Sequence, residues 1–173
     1  VKNKNKILWN YEGGNGIKTG YTKEAGRCLS AAAEREGMQL VAVVLSAPDM
    51  FNDCMTLMDY GFEHYDNSLV VKAGEKVGEI AVKDGVESSF PVYTENDVYF
   101  PLTQEEAANL QKRVYIDEQL TAPVKKGQQV GHIELWLGEN KIQSVVLSAP
   151  YDIGENSYSF NLGKLLGHWL NGR

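Results

Sequence analysis

Hydrophobic and polar residues follow a strand-like pattern over the first part of the chain. Residues 6–48 consist of short apolar runs separated by glycine-rich turns, and the runs are KILWNY, the stretch from Ile17, GRCLSAAAEREG and MQLVAVVLSA. Such runs predict strands. The alanines of the third run also favour helix, but Glu36-Gly37 after it is typical of a hairpin turn. We therefore predict strands throughout residues 6–48, the last of them fully buried.

A helical period replaces this pattern after Pro48. Apolar residues then recur at spacings of three and four, and they are Phe51, Cys54, Met55, Met58 and Phe62. This spacing predicts one amphipathic helix that ends near His64-Tyr65. Asp49 stands at the N-cap position, and Asp66-Asn67-Ser68 marks a boundary after the helix.

The chain from residue 67 to residue 160 is rich in strand signals and contains an internal repeat. Residues 71–80 read VKAGEKVGEI and residues 124–133 read VKKGQQVGHI, with six of ten positions identical at an offset of 53 residues. In each copy a Lys-x-Gly turn precedes a Val-Gly-x-Ile strand, which predicts one hairpin used twice in a small antiparallel sandwich. Thr103 and Glu106 predict a capping box on a short helix within residues 103–111.

The final segment, residues 161–173, has apolar residues on one helical face. These residues are Leu162, Leu165, Leu166 and Trp169. The pattern predicts an amphipathic helix, which could lie on a membrane surface or dock on its own domain. We thus expect an α+β protein, mainly antiparallel β, divided into residues 1–66, 67–160 and 161–173.

Composition narrows the classes of partner. The formal net charge of −6 argues against a nucleic-acid partner, which needs a basic face. Lys2, Lys4 and Lys6 make a basic start that fits a solvated strand edge. The sequence shows no metal-ligand spacing and no cofactor motif, and it leaves open whether Cys28 and Cys54 pair. The three histidines and Glu95-Asn96-Asp97 suit ordinary structural roles better than a ligand site.

One short motif indicates a possible active site. The stretch NGIKTGYTKEAGRC contains Lys18-Thr19-Gly20, after a glycine-rich turn and before a second strand. The triplet alone occurs often by chance. The triplet is one of the three motifs of penicillin-binding proteins and class A β-lactamases, and the other two are Ser-x-x-Lys and Ser-Asp-Asn.

The longer stretch from NKNKILWNY to VVLSAPD resembles the last part of the penicillin-binding domain of serine-type D-alanyl-D-alanine carboxypeptidases, which are low-molecular-mass penicillin-binding proteins. The resemblance implies a partial penicillin-binding or β-lactamase-like sheet, with strands and one helix, in residues 1–66. It implies a β-sandwich domain in residues 67–160. In residues 161–173 it implies an amphipathic helix that holds the enzyme, as a peripheral protein, to the outer face of the cytoplasmic membrane.

The resemblance also implies roles for four residues. Lys18 and Thr19 bind the terminal carboxylate of a cell-wall peptide ending in D-Ala-D-Ala, through a charge-assisted and a neutral hydrogen bond. Gly20 leaves room for the peptide to lie along the strand. The backbone N–H of Tyr21 forms half of an oxyanion hole for the acyl-enzyme reaction, and β-lactams acylate the same site.

The nucleophile of such an enzyme is absent from these residues. No Ser-x-x-Lys occurs, and Ser159-Phe160-Asn161 lies after the triplet whereas the family places its Ser-x-Asn before it. We expect a C-terminal portion, cut inside the catalytic domain and inactive alone. Its apolar strands would face either the missing N-terminal part or a second copy, so we expect a species that is not monomeric. A non-catalytic β-sandwich binding or spacer module of the cell envelope is the alternative, and a β-lactamase-like hydrolase is a weaker third.

Overall fold

A computed structural model describes residues 3–156, and over this range the chain is mainly antiparallel β, as expected. The described helices are α1 (Ile7–Asn10), α2 (Met50–His64) and α3 (Gln104–Asn109). The described strands are β1 (Gly14–Thr22), β2 (Gly26–Arg35), β3 (Met38–Val44), β4 (Asp66–Val71), β5 (Lys76–Lys83), β6 (Ser89–Tyr93), β7 (Val98–Leu102), β8 (Leu110–Ile116), β9 (Gln119–Thr121), β10 (Gln129–Leu137) and β11 (Asn140–Ser148).

The chain divides into two compact units. Among the described residues, the first contains the chain as far as Ser68 together with Tyr99–Ala108, and the second contains Leu69–Val98 and residues 109–156. The division into domains at residues 66 and 160 stays a prediction.

The first unit is built on an antiparallel sheet with the strand order β1-β2-β3. Helix α2 packs on one face of this sheet and contributes two fully buried residues, Cys54 and Met58, to the core. The sheet contributes Leu29 and small alanines on the same face, which let the helix approach closely. The predicted helix is therefore confirmed, and so is its end at His64.

Of three local features in this unit, two agree with the prediction from the sequence and one differs. Glu36 and Gly37 have φ values of +50° and +75° and close the β2–β3 hairpin, as predicted. Gly26–Arg35 is a strand despite its alanines. Asp49 does stand at the N-cap of α2, but its side chain accepts a hydrogen bond from the Asn52 side-chain amide at 2.7 Å and makes no capping bond to the backbone.

The prediction of a strand at residues 6–11 is wrong. Residues Ile7–Asn10 form one helical turn. The buried side chain of Asn5 accepts a hydrogen bond from the backbone N–H of Ile7 at 3.1 Å, and the carbonyl of Lys6 accepts from the N–H of Asn10 at 2.9 Å. This local side-chain bond offers the backbone a turn instead of a strand, and the turn places Ile7 fully inside the core.

The last strand of the sheet is not fully buried. Val41, Val43 and Leu45 are 58, 57 and 75% exposed, because α2 covers only the other face of the sheet among the described residues. These three side chains form what we call the open face. The expectation that apolar residues of this strand would lie exposed is confirmed, and the expectation of a strand buried on both faces is wrong.

The second unit contains two three-stranded sheets, ordered β11-β10-β8 and β6-β5-β9, as expected for a small sandwich. All the pairs are antiparallel except β5–β9. Strands β4 and β7 form a further two-stranded sheet. Fully buried apolar side chains from both larger sheets fill the core, among them Ile80, Val92, Leu135 and Leu147.

The internal repeat is a structural repeat. Gly74 and Gly127 have φ values of +76° and +79° in equivalent turns, a backbone conformation that suits glycine. The residue before each glycine donates its backbone N–H to an aspartate: Ala73 to Asp97 at 2.7 Å, and Lys126 to Asp152 at 2.8 Å. The predicted turns and the strands that follow them, β5 and β10, are confirmed. The prediction of hairpins is wrong, because neither strand pairs with the one before its turn: β5 pairs with β6 and β9, and β10 pairs with β8 and β11.

The predicted capping box is also present. The backbone N–H of Thr103 donates to Glu106 Oε2 at 2.9 Å, and the N–H of Glu106 donates to Thr103 Oγ1 at 3.2 Å. Helix α3 ends at Asn109, two residues earlier than expected.

Three predictions concern the end of the chain. The amphipathic helix at residues 161–173, His168 and the Ser159-Phe160-Asn161 sequence lie outside the described residues. Within the described range, no helix has the length and apolar character needed to cross a bilayer.

Candidate functional site

Strand β1 carries Lys18-Thr19-Gly20 at an edge of its sheet. Within the described residues β1 pairs only with β2, so its second edge offers unpaired backbone groups. In the β1–β2 register Lys18 lies opposite Ser30, Thr19 opposite Leu29, Gly20 opposite Cys28 and Tyr21 opposite Arg27. The hydrophobic residues of β2 and the turn at Gly26 fix this register, which places the triplet where a ligand can reach it.

Side chains alternate between the two faces of β1. Lys18 and Gly20 lie on the same side of the sheet as the open face, because Lys18 is opposite Ser30 and Ser30 is opposite Val43. Thr19 and Tyr21 belong to the α2 side of the sheet, since Thr19 lies opposite the buried Leu29. The triplet therefore presents an ammonium group on one side of the strand and a hydroxyl on the other.

Two surface grooves meet at the triplet. A groove of about 210 Å³ lies on the open face and is lined also by Cys28, Ser30, Val43 and Leu45. A larger groove of about 570 Å³, which we call the edge groove, lies along Lys18–Tyr21 and is lined also by Lys4, Arg27, Met50 and Phe51. Lys18, Thr19 and Gly20 line both grooves. The triplet thus forms the ridge between them.

The edge groove is positively charged. Lys4, Lys18 and Arg27 line it, and none of its described lining residues is acidic. The chain as a whole carries a net charge of −6, so this is a local concentration of positive charge. Such a groove favours an anionic ligand.

Lys18 is exposed, and its Nζ donates a hydrogen bond to the carbonyl oxygen of Thr19 at 2.8 Å. An ammonium group has three donors, so this bond leaves two for a ligand. The bond also holds the ammonium close to its own strand. A carboxylate bound there would lie within reach of the Thr19 hydroxyl.

The packing of the sheet does not require a glycine at position 20. A Cβ at Gly20 would lie 3.8 Å from the Cβ of Cys28 and 4.0 Å from the carbonyl oxygen of Cys28, which are ordinary contacts. A glycine in a strand that could hold a side chain is typical of a site where another backbone approaches. Tyr21, which follows it, is 70% exposed.

Sequence reasoning missed Lys4 and Arg27. The basic start of the chain predicts a solvated strand edge at Lys4, but no strand forms there, and Lys4 lines the edge groove. Arg27 lies opposite Tyr21, and its guanidinium donates to the carbonyl oxygen of Pro48 at 3.3 Å. Once the β1–β2 hairpin was predicted, the register across its turn could have placed Arg27 beside the site.

The two cysteines are free thiols. Cys54 is completely buried, and burial raises the pKa of its thiol. A thiol of this kind packs as a small hydrophobe and is unreactive. Cys28 is half-buried on β2, at the floor of the smaller groove.

The remaining polar candidates have structural contacts. His64 Nδ1 lies 2.8 Å from the carbonyl oxygen of Tyr60 at the end of α2, and His132 stacks on Tyr115 with ring centroids 5.1 Å apart. Asp97 holds the turn at Ala73. In the range 3–156 no three His, Cys, Asp or Glu side chains are grouped to hold a metal ion.

Two family models match consecutive parts of the chain. Residues 1–49 match D-alanyl-D-alanine carboxypeptidase, and residues 65–155, slightly more than half of the chain, match the C-terminal domain of penicillin-binding protein 5. The chain therefore belongs to the low-molecular-mass penicillin-binding proteins, as a C-terminal portion that holds the penicillin-binding protein 5 C-terminal domain.

Individual relatives agree with this assignment. The chain is 28% identical over 171 residues to the D-alanyl-D-alanine carboxypeptidase DacF of Bacillus subtilis, covering 96% of this chain and 44% of that protein. Penicillin binding protein 5 from Haemophilus influenzae is similar in structure, with a TM-score of 0.70 at 28% identity over 86% of this chain and 45% of that one. DacD from Francisella tularensis gives a TM-score of 0.58 at 26% identity, with 88 and 39% covered. The chain thus spans less than half the length of these relatives.

Proposed function

We propose that the chain is the C-terminal portion of a serine-type D-Ala-D-Ala carboxypeptidase and that β1 is one wall of its catalytic site. The observation that carries this proposal is the position of Lys18-Thr19-Gly20 at an exposed strand edge, on the ridge between two grooves. The relatives named as D-alanyl-D-alanine carboxypeptidases support it.

In this reaction a serine attacks the peptide bond between the two D-alanines, the terminal D-alanine leaves, and water then hydrolyses the acyl-enzyme. The terminal carboxylate of the peptide binds the Lys18 ammonium and the Thr19 hydroxyl. The peptide lies along the free edge of β1 as an added strand, which Gly20 leaves bare. The backbone N–H of Tyr21 donates to the oxyanion.

The serine and its base come from outside these 173 residues, since the sequence contains no Ser-x-x-Lys. The segment that supplies them covers the open face formed by Val41, Val43 and Leu45. Burying such side chains contributes roughly 1.5–3 kcal/mol each, so the two parts would associate stably. The 173 residues alone are then inactive.

The location follows from the substrate. A carboxypeptidase of cell-wall peptides works outside the cytoplasm, and β-lactams that mimic the peptide reach it there. The amphipathic segment at residues 161–173 would hold the enzyme at the outer face of the cytoplasmic membrane as a peripheral protein.

A fluorescent penicillin tests the proposal on two proteins, the 173-residue chain and a longer chain that includes the upstream residues of its reading frame. We expect covalent labelling of the longer chain only, and at least about a tenfold slower labelling after Lys18→Met, because the mutant loses a charge-assisted bond. Lys23→Gln, an exposed lysine outside both grooves, is the control.

Two outcomes would overturn the proposal. Labelling of the 173-residue chain would mean that one of its own serines is the nucleophile. The absence of labelling in both proteins would favour the non-catalytic binding or spacer module of the envelope.

A further inference from the structure

Asn5 carries a buried side-chain atom, its Nδ2 nitrogen, that has no hydrogen-bond partner among residues 3–156. The residue as a whole is only 2% exposed. The orientation of the amide group is fixed, because its other atom, Oδ1, accepts a hydrogen bond from the backbone N–H of Ile7 at 3.1 Å. An amide nitrogen cannot accept such a bond. Nδ2 is therefore a shielded donor that the described residues leave without an acceptor.

A buried donor of this kind needs a partner. An unpaired one costs the full free energy of removing an N–H group from water, and native proteins contain few such groups. We propose that Nδ2 of Asn5 donates to a backbone carbonyl oxygen of the upstream part of the enzyme, the part that supplies the serine and its base. This inference rests on the proposed function and deepens it by naming a residue that joins the two parts.

The surroundings of Asn5 favour a carbonyl oxygen as the acceptor. A carboxylate would have to lose its water in a buried position, which costs far more than burying a neutral carbonyl. Most hydrogen bonds of side chains also go to backbone groups or water rather than to other side chains. The backbone N–H of Asn5 donates to Asn3 Oδ1 at 2.9 Å, so local bonds hold the residue in one orientation. A fixed donor suits a fixed backbone partner.

This contact would lie on the α2 side of the sheet, opposite to the open face. Ile7, two residues after Asn5, packs in the core with Leu29, Cys54 and Met58. The upstream part is proposed to cover the open face as well, so it would contact this chain on both sides of the sheet. Apolar burial has no preferred direction, whereas a hydrogen bond does. The bond from Asn5 would therefore orient the upstream part.

The contact also lies close to the strand that carries the triplet. A Cβ at Gly14 would lie 2.3 Å from the carbonyl oxygen of Ile7, so α1 packs directly on the start of β1. Lys4, the neighbour of Asn5, lines the edge groove beside the triplet. A bond from Asn5 would hold the part that carries the serine against this turn, and would so help to set the distance between the serine and Lys18.

Asn5→Ser tests the inference in two proteins, the 173-residue chain and the longer chain that includes the upstream residues of its reading frame. Serine supplies an oxygen that can accept from the backbone of the turn, but it lacks the amide donor. Hydrogen exchange of the β2 amides measures the stability of the first unit in each protein. We expect the substitution to accelerate exchange at least about tenfold more in the longer chain than in the 173-residue chain.

Two further variants separate the proposed bond from local effects. Asn5→Ala also removes the oxygen that accepts from Ile7, so exchange should be faster in both proteins, with the same extra factor in the longer chain. Asn10→Ser makes the matched change at an exposed asparagine of the same turn and should show no extra factor. If the Asn5 variants do not fold, the side-chain amide resonances of Asn5 in the two parent proteins decide, because a carbonyl partner shifts the Nδ2 protons downfield in the longer chain only.

The outcomes distinguish this inference from the proposed function. An equal effect of Asn5→Ser in the two proteins overturns the inference, since the acceptor would then be water or a group within the 173 residues. So would Nδ2 resonances at the same position in both parents. Hydrogen exchange does not depend on catalysis. If the longer chain does not react with penicillin, the proposed function fails, and the exchange rates still decide whether Asn5 bonds to the upstream part.

Discussion

Gly20 and Cys28 face each other in the β1–β2 ladder, and a methyl group at position 20 would lie 3.8 Å from the Cβ of Cys28. That distance is an ordinary van der Waals contact. The sheet itself therefore tolerates an alanine there, and we expect any requirement for glycine to come from a ligand that lies along the strand.

Gly20→Ala should leave the fold intact and impair the site. We expect the free energy of unfolding to change by less than about 1 kcal/mol, since alanine fits the sheet and suits a strand at least as well as glycine. Acylation of the longer chain by a fluorescent penicillin should slow at least about tenfold, because the methyl group stands where a ligand backbone approaches. Urea unfolding and labelling rates measure the two effects.

The double variant Gly20→Ala/Cys28→Ala serves as a control for this prediction. If a clash with Cys28 caused the loss, the second substitution would restore labelling. Restoration would therefore contradict a role for Gly20 in ligand approach.

Tyr11 and Asp59 link the first turn to α2. The hydroxyl of Tyr11 donates to Asp59 Oδ1 at 2.7 Å, and burial, followed by this bond, raises the pKa of Tyr11 above its ordinary value of 10.0. The folded state holds the Tyr11 proton more tightly than the unfolded state does. The contribution of this hydrogen bond to the free energy of unfolding is therefore complete below pH 10 and is lost as the pH rises above 10. Tyr11→Phe should cost about 1 kcal/mol at pH 8, and the cost should shrink at pH 11.

Urea unfolding of the parent chain and Tyr11→Phe at both pH values measures this difference. Tyr99→Phe, an exposed tyrosine of the same unit, is the control and should show no such change. A gap between parent and Tyr11→Phe that is the same at pH 8 and pH 11 would rule out the linkage.

The internal repeat contains glycines in different surroundings. Gly127 has a φ of +79° with open space around it, so Gly127→Ala should cost about 1 kcal/mol of conformational energy. A Cβ at Gly131 would lie 2.3 Å from the Tyr115 carbonyl oxygen, which is backbone and cannot easily move. We expect Gly131→Ala to cost about 3 kcal/mol or more.

Gly154→Ala is the matched control, because open space surrounds that position and its φ is not in the left-handed region. It should change the unfolding free energy by less than about 0.5 kcal/mol. An equal cost for Gly127→Ala and Gly131→Ala would show that β10 can shift away from β8.

The open face should cause the 173-residue chain to associate. Val41, Val43 and Leu45 are exposed together, and burying them between two copies removes apolar surface from water. We expect light scattering at micromolar concentration to show a species larger than a monomer, and Val43→Lys to return it to a monomer. Leu57→Lys, an exposed leucine on α2, should leave the association unchanged, whereas a monomeric parent chain would contradict the prediction.

The sequence predicted much of the fold because many elements depend on nearby residues. Glu36-Gly37 closes its hairpin through the positive φ of both residues, and Thr103 and Glu106 cap α3 through bonds only three residues apart. The periodic apolar residues of α2 predicted its length and its buried face. For the candidate site, the resemblance of the stretch around the triplet to a known family indicated Lys18, Thr19, Gly20 and Tyr21, whose roles stay predictions.

The predictions that the structure contradicts share a different cause. The Asn5 side chain stabilises the turn at residues 7–10 locally, but the burial of Ile7 in a core with residues 29, 54 and 58 depends on elements far along the chain, which short-range propensity does not contain. The exposure of Val43 depends on which face of the sheet α2 covers. A continuous apolar run such as MQLVAVVLSA predicts burial on both faces, and the run itself does not show which element covers each face.

The sequence by itself determined most of the strands, the repeated turn, α2 and the family to which the chain belongs, because each rests on a local pattern or a contiguous motif. Only the tertiary structure decided that Lys4 joins Lys18 and Arg27 at one groove and that the triplet forms a ridge at a strand edge that is unpaired within residues 3–156. These features depend on how strands pair and on what lies beside them, and long-range pairing brings together residues that the sequence keeps apart.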